Sequence, residues 1–388
     1  MRTEKSLYLA LKPQTNIPIP MSKRIGNIEL FMGPAGGVGG PDDLQQTIID
    51  FIDGATKSLY VAIQELDNRE IAQALIRARN RRVVVRIVLE EDYLINKSRS
   101  GTPFQPGGSL EPNREIFNAL LRSNIRVHVD FNPEIFHQKF IIRDKRSILA
   151  GSTNFTDTGV TKNLNHIVII HDDPARRSAY NIVKDYIKEF DEIANGRFGA
   201  QSDVNWQPPD PEDVGGIEVK ALFAPDHGPE MEIMKQMLKA TRTIDFAIFT
   251  FSESSGIDDT MVALANAGIS ITGVFDAKQA SQKWAATKVM NSPKLNPIGR
   301  SNIDFRIVPQ KGPVGKLHHK LMVIDRRVVI AGSFNYTGPA NYINDENIIV
   351  IGDLEATDPA AINRQEGFAH YAVSEILRIR NTFGKVII

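Results

Sequence analysis

Two stretches of the chain, 181 residues apart, repeat one pattern with every spacing kept. The first runs His137-Gln138-Lys139, then Asp144, then Gly151-Ser152-Thr153-Asn154. The second runs His318-His319-Lys320, then Asp325, then Gly332-Ser333-Phe334-Asn335. A chain that carries one unit twice is constrained to fold into two like halves.

The flanks repeat as well. An apolar run at Ser58–Leu66, a helix-like stretch at Arg69–Arg79 and a Val/Ile-rich run at Val83–Leu89 precede the first motif. Thr243–Phe251, Asp259–Ala267 and Ile269–Phe275 precede the second, and Ile125–Phe131 and Ile303–Val308 lead into the two motifs. Strands alternating with helices predict α/β units on buried sheets. Each half closes on a helix-like stretch, Pro174–Ala194 and Pro359–Phe383, whose apolar stripes read as core faces. Glycine and proline crowd Asn195–Gly216, which predicts a linker. The expected plan is an N-terminal arm over 1–24, a first lobe over 25–195, a linker over 196–216 and a second lobe over 217–388.

His and Lys two apart on a strand share a face, while Gln138 or His319 points the other way. The strand ends at Asp144 or Asp325, each followed by a basic pair, and a second apolar strand begins at Ser147 or Val328. That is a hairpin, and folding it returns Gly-Ser-x-Asn beside His-x-Lys of the same half. Both aspartates read as turn residues supported by the adjacent basic pair. Imidazole, ammonium, hydroxyl and carboxamide at one end suit a phosphodiester. Lys139 and Lys320 are cationic donors for non-bridging oxygens, and Ser152, Ser333, Asn154 and Asn335 add hydrogen bonds where charge develops. Attack on phosphorus and protonation of the leaving oxygen need two histidines. Each motif offers one, so the duplication predicts a single site at a pseudo-twofold interface.

This paired pattern resembles the signature of the phospholipase D superfamily. The resemblance implies two similar α/β/α sandwich lobes, a phosphohistidine intermediate, and no metal or other cofactor. It also implies a polar or acidic residue that orients each histidine, eleven positions beyond the motif Asn: Asn165 in the first half and Glu346 in the second. A carboxylate favours a protonated imidazole. On that ground His318 is paired with Glu346 as general acid and His137 with Asn165 as nucleophile. In several family members, the tyrosyl-DNA phosphodiesterases among them, the N-terminal histidine attacks.

Composition narrows the rest. Among 388 residues, 46 basic and 46 acidic side chains balance, so any pull on nucleic acid must come from a local patch. With no cysteine, disulfides and thiolate chemistry are excluded. No apolar run approaches the ~20 residues that span a bilayer, and a cytosolic protein is expected. Of the other histidines, His319 is expected to serve structure, and His128, His166, His171, His227 and His370 lack metal-ligand spacing. The arginines at 77, 79, 81, 82 and 86 fit a helix C-terminus. The stretch Ala277–Arg300 holds Lys278, Lys283, Lys288 and Trp284 without an acid, which suits a nucleic-acid strand and equally a solvated surface. The matching insertion Asp92–Glu115 reads as a lid.

The leading expectation is a metal-independent nuclease, active as a monomer because both motifs lie on one chain. The alternative is a phospholipase D or phosphatidyltransferase acting on membrane lipid, which calls for an exposed apolar rim; none stands out in the sequence. A third class, a non-catalytic binding module, would bind nucleic acid without turnover.

Overall fold

The structure, a computed structural model, describes residues 21–94, 107–172, 180–202 and 208–386. The expected N-terminal arm up to residue 20 and the middle of the Asp92–Glu115 insertion, with Lys97 and Arg99, lie outside these residues.

The first half builds an eight-stranded sheet from β1 (Arg24–Ile25), β2 (Ile28–Gly33), β3 (Ser58–Ile63), β4 (Val84–Glu90), β5 (Arg126–Asp130), β6 (Lys139–Arg143), β7 (Ser147–Gly151) and β8 (Asn165–His171). The second builds another from β9 (Glu212–Asp213), β10 (Glu218–Ala224), β11 (Thr243–Ile248), β12 (Ser270–Asp276), β13 (Ile303–Val308), β14 (Lys320–Ile324), β15 (Val328–Gly332) and β16 (Glu346–Ile351). Strand order is β1-β2-β8-β7-β6-β3-β4-β5 in one, and the same order of counterparts in the other, β9-β10-β16-β15-β14-β11-β12-β13. Only β3-β4-β5 and β11-β12-β13 pair in parallel. Helical crossovers make that possible in both halves, as with Arg69–Asn80 between β3 and β4.

Both faces of each sheet are covered, which is why the central strands read as unbroken apolar runs. Helices Leu44–Asp53, Arg69–Asn80 and Glu111–Arg122 close the outer face of the first sheet, and Pro229–Met237 and Gly256–Asn266 that of the second. The two closing helices, Tyr180–Ile193 and Pro359–Thr382, lie between the sheets. One core joins the inner faces of both halves, with Phe140, Tyr186 and Phe190 of the first packed with Phe223 and Val219 of the second and Phe368 and Ile376 of the last helix. The lobes therefore share their inner helical layer.

Two features depart from expectation. The strands β2 and β10 stand apart from the repeat read in the sequence, and antiparallel pairing, chiefly to β8 and β16, stabilises them. Within the expected linker, Glu212–Asp213 pair with β10 as an edge strand. The basic cluster is structural. Arg77 and Arg81 both bind Asp53, and Arg86 binds Asp191 above the Tyr60 and Phe190 rings.

Candidate active site

The hairpins β6–β7 and β14–β15 form as their patterns predict. Their tips, Asp144-Lys145-Arg146 and Asp325-Arg326-Arg327, put three residues between the paired strand ends, and the first two of each have positive φ (55°, 56°, 48° and 55°), the left-handed region that Asp tolerates. The basic neighbours do not hold the aspartates. Asp144 accepts from the backbone N–H of Thr56, Lys57 and Ser58 and from the Thr56 hydroxyl. Asp325 repeats this with Thr241, Arg242 and Thr243. Burial opposes ionisation at both, but these donors outweigh it and hold each carboxyl below its ordinary range. Each Asp fastens the hairpin tip to the start of β3 or β11, about 16 Å along the strand from the motif lysine. Both are structural. The motif glycines have an equally local reason. A Cβ on Gly151 would stand 2.3 Å from the His166 carbonyl, and one on Gly332 2.2 Å from that of Asn347.

The histidines sit just ahead of β6 and β14, at the seam between the halves. There His137 N–H donates to the Asp345 carbonyl at 3.0 Å and His318 N–H to that of Leu164 at 2.9 Å. Short bridges, Phe136 with Asp345 and Leu164 with Leu317, thus pin each histidine against the start of the opposite half's last strand. The orienting contacts are crossed in consequence. His137 Nδ1 lies 2.7 Å from Glu346 Oε2, which also accepts from the Ser333 hydroxyl at 2.6 Å. His318 Nδ1 lies 2.9 Å from Asn165 Oδ1 and 3.1 Å from the Ser152 carbonyl, and the Ser152 hydroxyl donates to Asn165 Oδ1. The expected pairing of Glu346 with His318 and Asn165 with His137 is therefore incorrect. Each Ser and orienting residue serves the other half's histidine. The hairpin gathers Lys and Asn within a half, but not Ser with His.

The lysines divide the two half-sites further. Lys139 Nζ donates to Gln64 Oε1 at 3.1 Å and to the His137 carbonyl at 2.6 Å, and Asn154 Nδ2 donates to the same Gln64 oxygen at 3.2 Å. In the other half Phe249 takes the place of Gln64. Gln64 N–H donates to the Gln138 carbonyl, Phe249 N–H to that of His319. The Phe249 ring stands 5.0 Å from Lys320 Nζ and 4.8 Å from the His318 ring. Lys320 Nζ instead lies 3.1 Å from His318 Nε2. Neither residue was singled out from sequence. Gln64, polar within an otherwise apolar strand run, carried a signal; Phe249 carried none.

Burial dominates the electrostatics. It pushes both histidines well down, helped by the lysine charges, and pushes Lys139 down to about 7 and Lys320 well below its ordinary value. Burial also pushes Glu346 up to about 8, against the pull of Lys139. The His137–Glu346 pair can hold one proton on the Nδ1···Oε2 line, which leaves the Nε2 lone pair of His137 available.

Two further histidines meet at the seam. His166 and His319 stack with centroids 5.4 Å apart, their Nδ1 atoms 3.2 Å apart, and Gly332 N–H donates to His166 Nε2. His166 then carries its proton on Nδ1 and donates to His319, so both rings are neutral. The equivalent positions in the other direction hold an amide pair, Asn347 Nδ2 donating to Gln138 Oε1 at 2.6 Å. These pairs are structural.

Lys278, Lys283, Trp284 and Lys288 are exposed on the stretch after β12. Asp276 links that stretch to the site, capping its first helix and accepting from the N–H of Leu317, beside His318. Among the described residues none of the four makes a hydrogen bond or ring contact with a motif side chain. One group of buried acids, Glu189, Glu192 and Asp226, brings ligand atoms within 4.8 Å of one another. Protein donors already serve two of them, Gln138 at Glu189 and Arg197 at Glu192.

Two sheets of one topology, with a histidine and lysine from each meeting at their seam, define a duplicated α/β architecture with one composite site. A family model described as "Cardiolipin synthase, PLD-like domain" matches residues 48–194 and 233–362, one span in each lobe. The chain belongs to the phospholipase D superfamily. It is 32% identical over 146 residues to a phospholipase D of Rickettsia felis, covering 36% of this chain and 64% of that protein. It is also 32% identical over 114 residues to a mitochondrial cardiolipin hydrolase of Chlamydomonas reinhardtii, covering 29% of this chain and 46% of the other. The chain thus spans less than two thirds of the length of either relative. Among solved structures, a phosphatidylserine synthase from Haemophilus influenzae superposes with a TM-score of 0.59 at 15% identity, over 93% of this chain and 87% of that one, a likeness of fold.

Proposed function

We propose that the chain is a phospholipid phosphodiesterase of the phospholipase D type, hydrolysing or exchanging a head group through a phosphohistidine. The observation that carries the chemistry is the crossed pair of histidines, each held at Nδ1 by the other lobe and flanked by a buried lysine. His137 is the nucleophile. Glu346 accepts its Nδ1 proton, leaves Nε2 free to attack, and offsets the positive charge of the phosphorylated ring. His318 and Lys320 hold a proton between Nε2 and Nζ, which makes this pair the acid. These are the roles expected from sequence, on a different ground.

In the first step His137 Nε2 bonds to phosphorus, the bond to the leaving oxygen breaks, and that oxygen takes a proton from His318 Nε2. In the second, His318 removes a proton from water or an alcohol, whose oxygen displaces His137 Nε2 from phosphorus. Lys139, Lys320, Asn154 and Asn335 face the charge on the non-bridging oxygens. Both half-sites lie on one chain, so a monomer suffices.

The names of the relatives, phospholipase D and cardiolipin hydrolase, support lipid over nucleic acid as substrate. This reverses the weighting drawn from sequence, which rested on an expected cytosolic location, the basic Ala277–Arg300 stretch and the lack of lipid-facing features. The test is head-group release from phosphatidylcholine, phosphatidylglycerol and cardiolipin vesicles, beside cleavage of single-stranded DNA, duplex DNA and RNA, all in EDTA. Lipid turnover that vanishes in His137→Ala is expected. Nucleic-acid cleavage with every lipid untouched would overturn the lipid reading.

A further inference from the structure

The catalytic groups of the two halves are near copies, but the residues around the mouth are not. Ile135 and Lys316 occupy equivalent places, each two residues before a motif histidine. Tyr342 and Thr161 are equivalent, each four residues before an orienting side chain, and Ile343 and Lys162 follow them. On one side of the seam Ile135 is 46% exposed and Tyr342 57%, and Phe131, earlier in the loop that leads to His137, is 68% exposed. These belong to adjoining segments. The Ile135 carbonyl accepts from Asp345 N–H, and Asn132 Nδ2 and the Ile343 carbonyl both crowd Gly199. Glu134 is the exposed acid of this loop.

On the other side Lys316 stands where Ile135 does and Lys162 where Ile343 does, while the counterpart of Tyr342 is Thr161 and that of Phe131 is Gly312. Leu164 N–H donates to the Lys316 carbonyl and Gly315 N–H to the Lys162 carbonyl, so these segments also adjoin. Lys316 Nζ stands 5.7 Å from the Phe249 ring, which packs on His318. Lys162 and Lys311 are exposed nearby.

Single exposed apolar side chains are ordinary on a protein surface. Three of them on two segments that adjoin at the active-site seam, with three exposed lysines on and beside the matching segments of the other side, make a mouth with one apolar and one cationic lip. We propose that this mouth docks on an anionic phospholipid bilayer, with Phe131, Ile135 and Tyr342 entering the head-group layer and Lys162, Lys311 and Lys316 on lipid phosphates. Apolar side chains gain by leaving water at that depth, and lysines gain from the negative surface. A lipid seated between the lips presents its phosphodiester to His137 and His318 without leaving the bilayer. A nucleic-acid strand would use the lysines but gives Ile135 nothing to enter.

The docking proposal rests on the lipid reading, and two substrates separate them. Monomeric dihexanoyl-phosphatidylglycerol reports the chemistry, and vesicles of phosphatidylcholine with phosphatidylglycerol report the docking. The variants are Phe131→Ser/Ile135→Ser/Tyr342→Ser and Lys162→Ser/Lys311→Ser, all at exposed positions, with Lys316 kept because it lies against Phe249 beside His318, and with unchanged circular dichroism as the check on folding. Both are expected to lower vesicle turnover and co-sedimentation about tenfold, and to leave monomer turnover within about twofold. The lysine variant should lose the preference for phosphatidylglycerol over pure phosphatidylcholine vesicles. Vesicle binding and turnover equal to wild type in the apolar variant would overturn the docking with the lipid reading intact. No turnover of monomeric lipid by wild type would overturn the lipid reading. Binding of single-stranded DNA that the apolar variant weakens, with vesicle binding unaffected, would assign the lip to nucleic acid instead.

Discussion

Glu346 of the second lobe accepts a hydrogen bond from His137 of the first at 2.7 Å, across 209 residues of sequence. His318 has only the neutral Asn165 at the equivalent position, 2.9 Å away. Two motifs of one spelling thereby become two histidines of different character.

Glu346→Gln should lower kcat by about 10²-fold or more with KM little changed, since the lost charge matters most when the ring becomes positive. In His318→Asn the second step loses its base, so a phosphorylated His137 should accumulate. Mass spectrometry after an alkaline quench checks this, and a phosphorylated His318 that accumulates in His137→Asn instead would reverse the roles.

Gln64→Leu frees Lys139 and Asn154 from their shared acceptor. Loss of one charge-assisted hydrogen bond, about 1.5–3 kcal/mol, predicts a 10- to 100-fold fall in kcat/KM. Phe249→Gln should give Lys320 an acceptor other than His318 and shift the pH–rate profile, whereas Phe249→Leu should not. Steady-state kinetics across pH distinguishes the two.

Asp144→Asn and Asp325→Asn should cost about 1–3 kcal/mol of stability each and leave kcat/KM of the folded enzyme nearly intact. Their carboxyls sit below the ordinary range when folded, so their contribution is present above the unfolded value and disappears as pH falls through the folded one. Denaturant titrations at pH 7 and pH 3 should therefore show the penalty shrinking in acid.

The His166–His319 stack sets a different acid dependence. Burial pushes His166 down to about 3 and His319 well below its ordinary value. Below about pH 6.5 the unfolded chain takes up protons that the folded one refuses, so stability falls with pH by up to ~1.4 kcal/mol per unit for each imidazole. His166→Asn/His319→Gln installs the amide pair already used at Gln138 and Asn347. It should flatten that slope between pH 6.5 and 4, read as denaturation midpoints.

Much of each lobe was legible in the chain. The apolar runs of Ser58–Leu66 and Thr243–Phe251, the hairpins about Asp144 and Asp325, and the closing helices follow from hydrophobic patterning and turn chemistry within a few residues. The strands β2 and β10 were not, because six or seven residues acquire strand structure from the neighbour they pair with. Gln64 was visible as a polar residue in an apolar strand, but nothing local tied it to Lys139 or Asn154. The exposed lip of Phe131, Ile135 and Tyr342 was invisible for a like reason. Its members lie apart in the chain, and none sits in an amphipathic segment that exposes it.

Sequence alone determined that two lobes of one design would bring histidine, lysine, serine and asparagine to a common seam, because strand period and hairpin length act over a few residues. Which histidine receives the carboxylate was decided only by tertiary structure. Equal spacing in both halves says nothing about how the halves face each other. The bridges Phe136–Asp345 and Leu164–Leu317 cross the seam, and they carry each orienting side chain to the opposite motif.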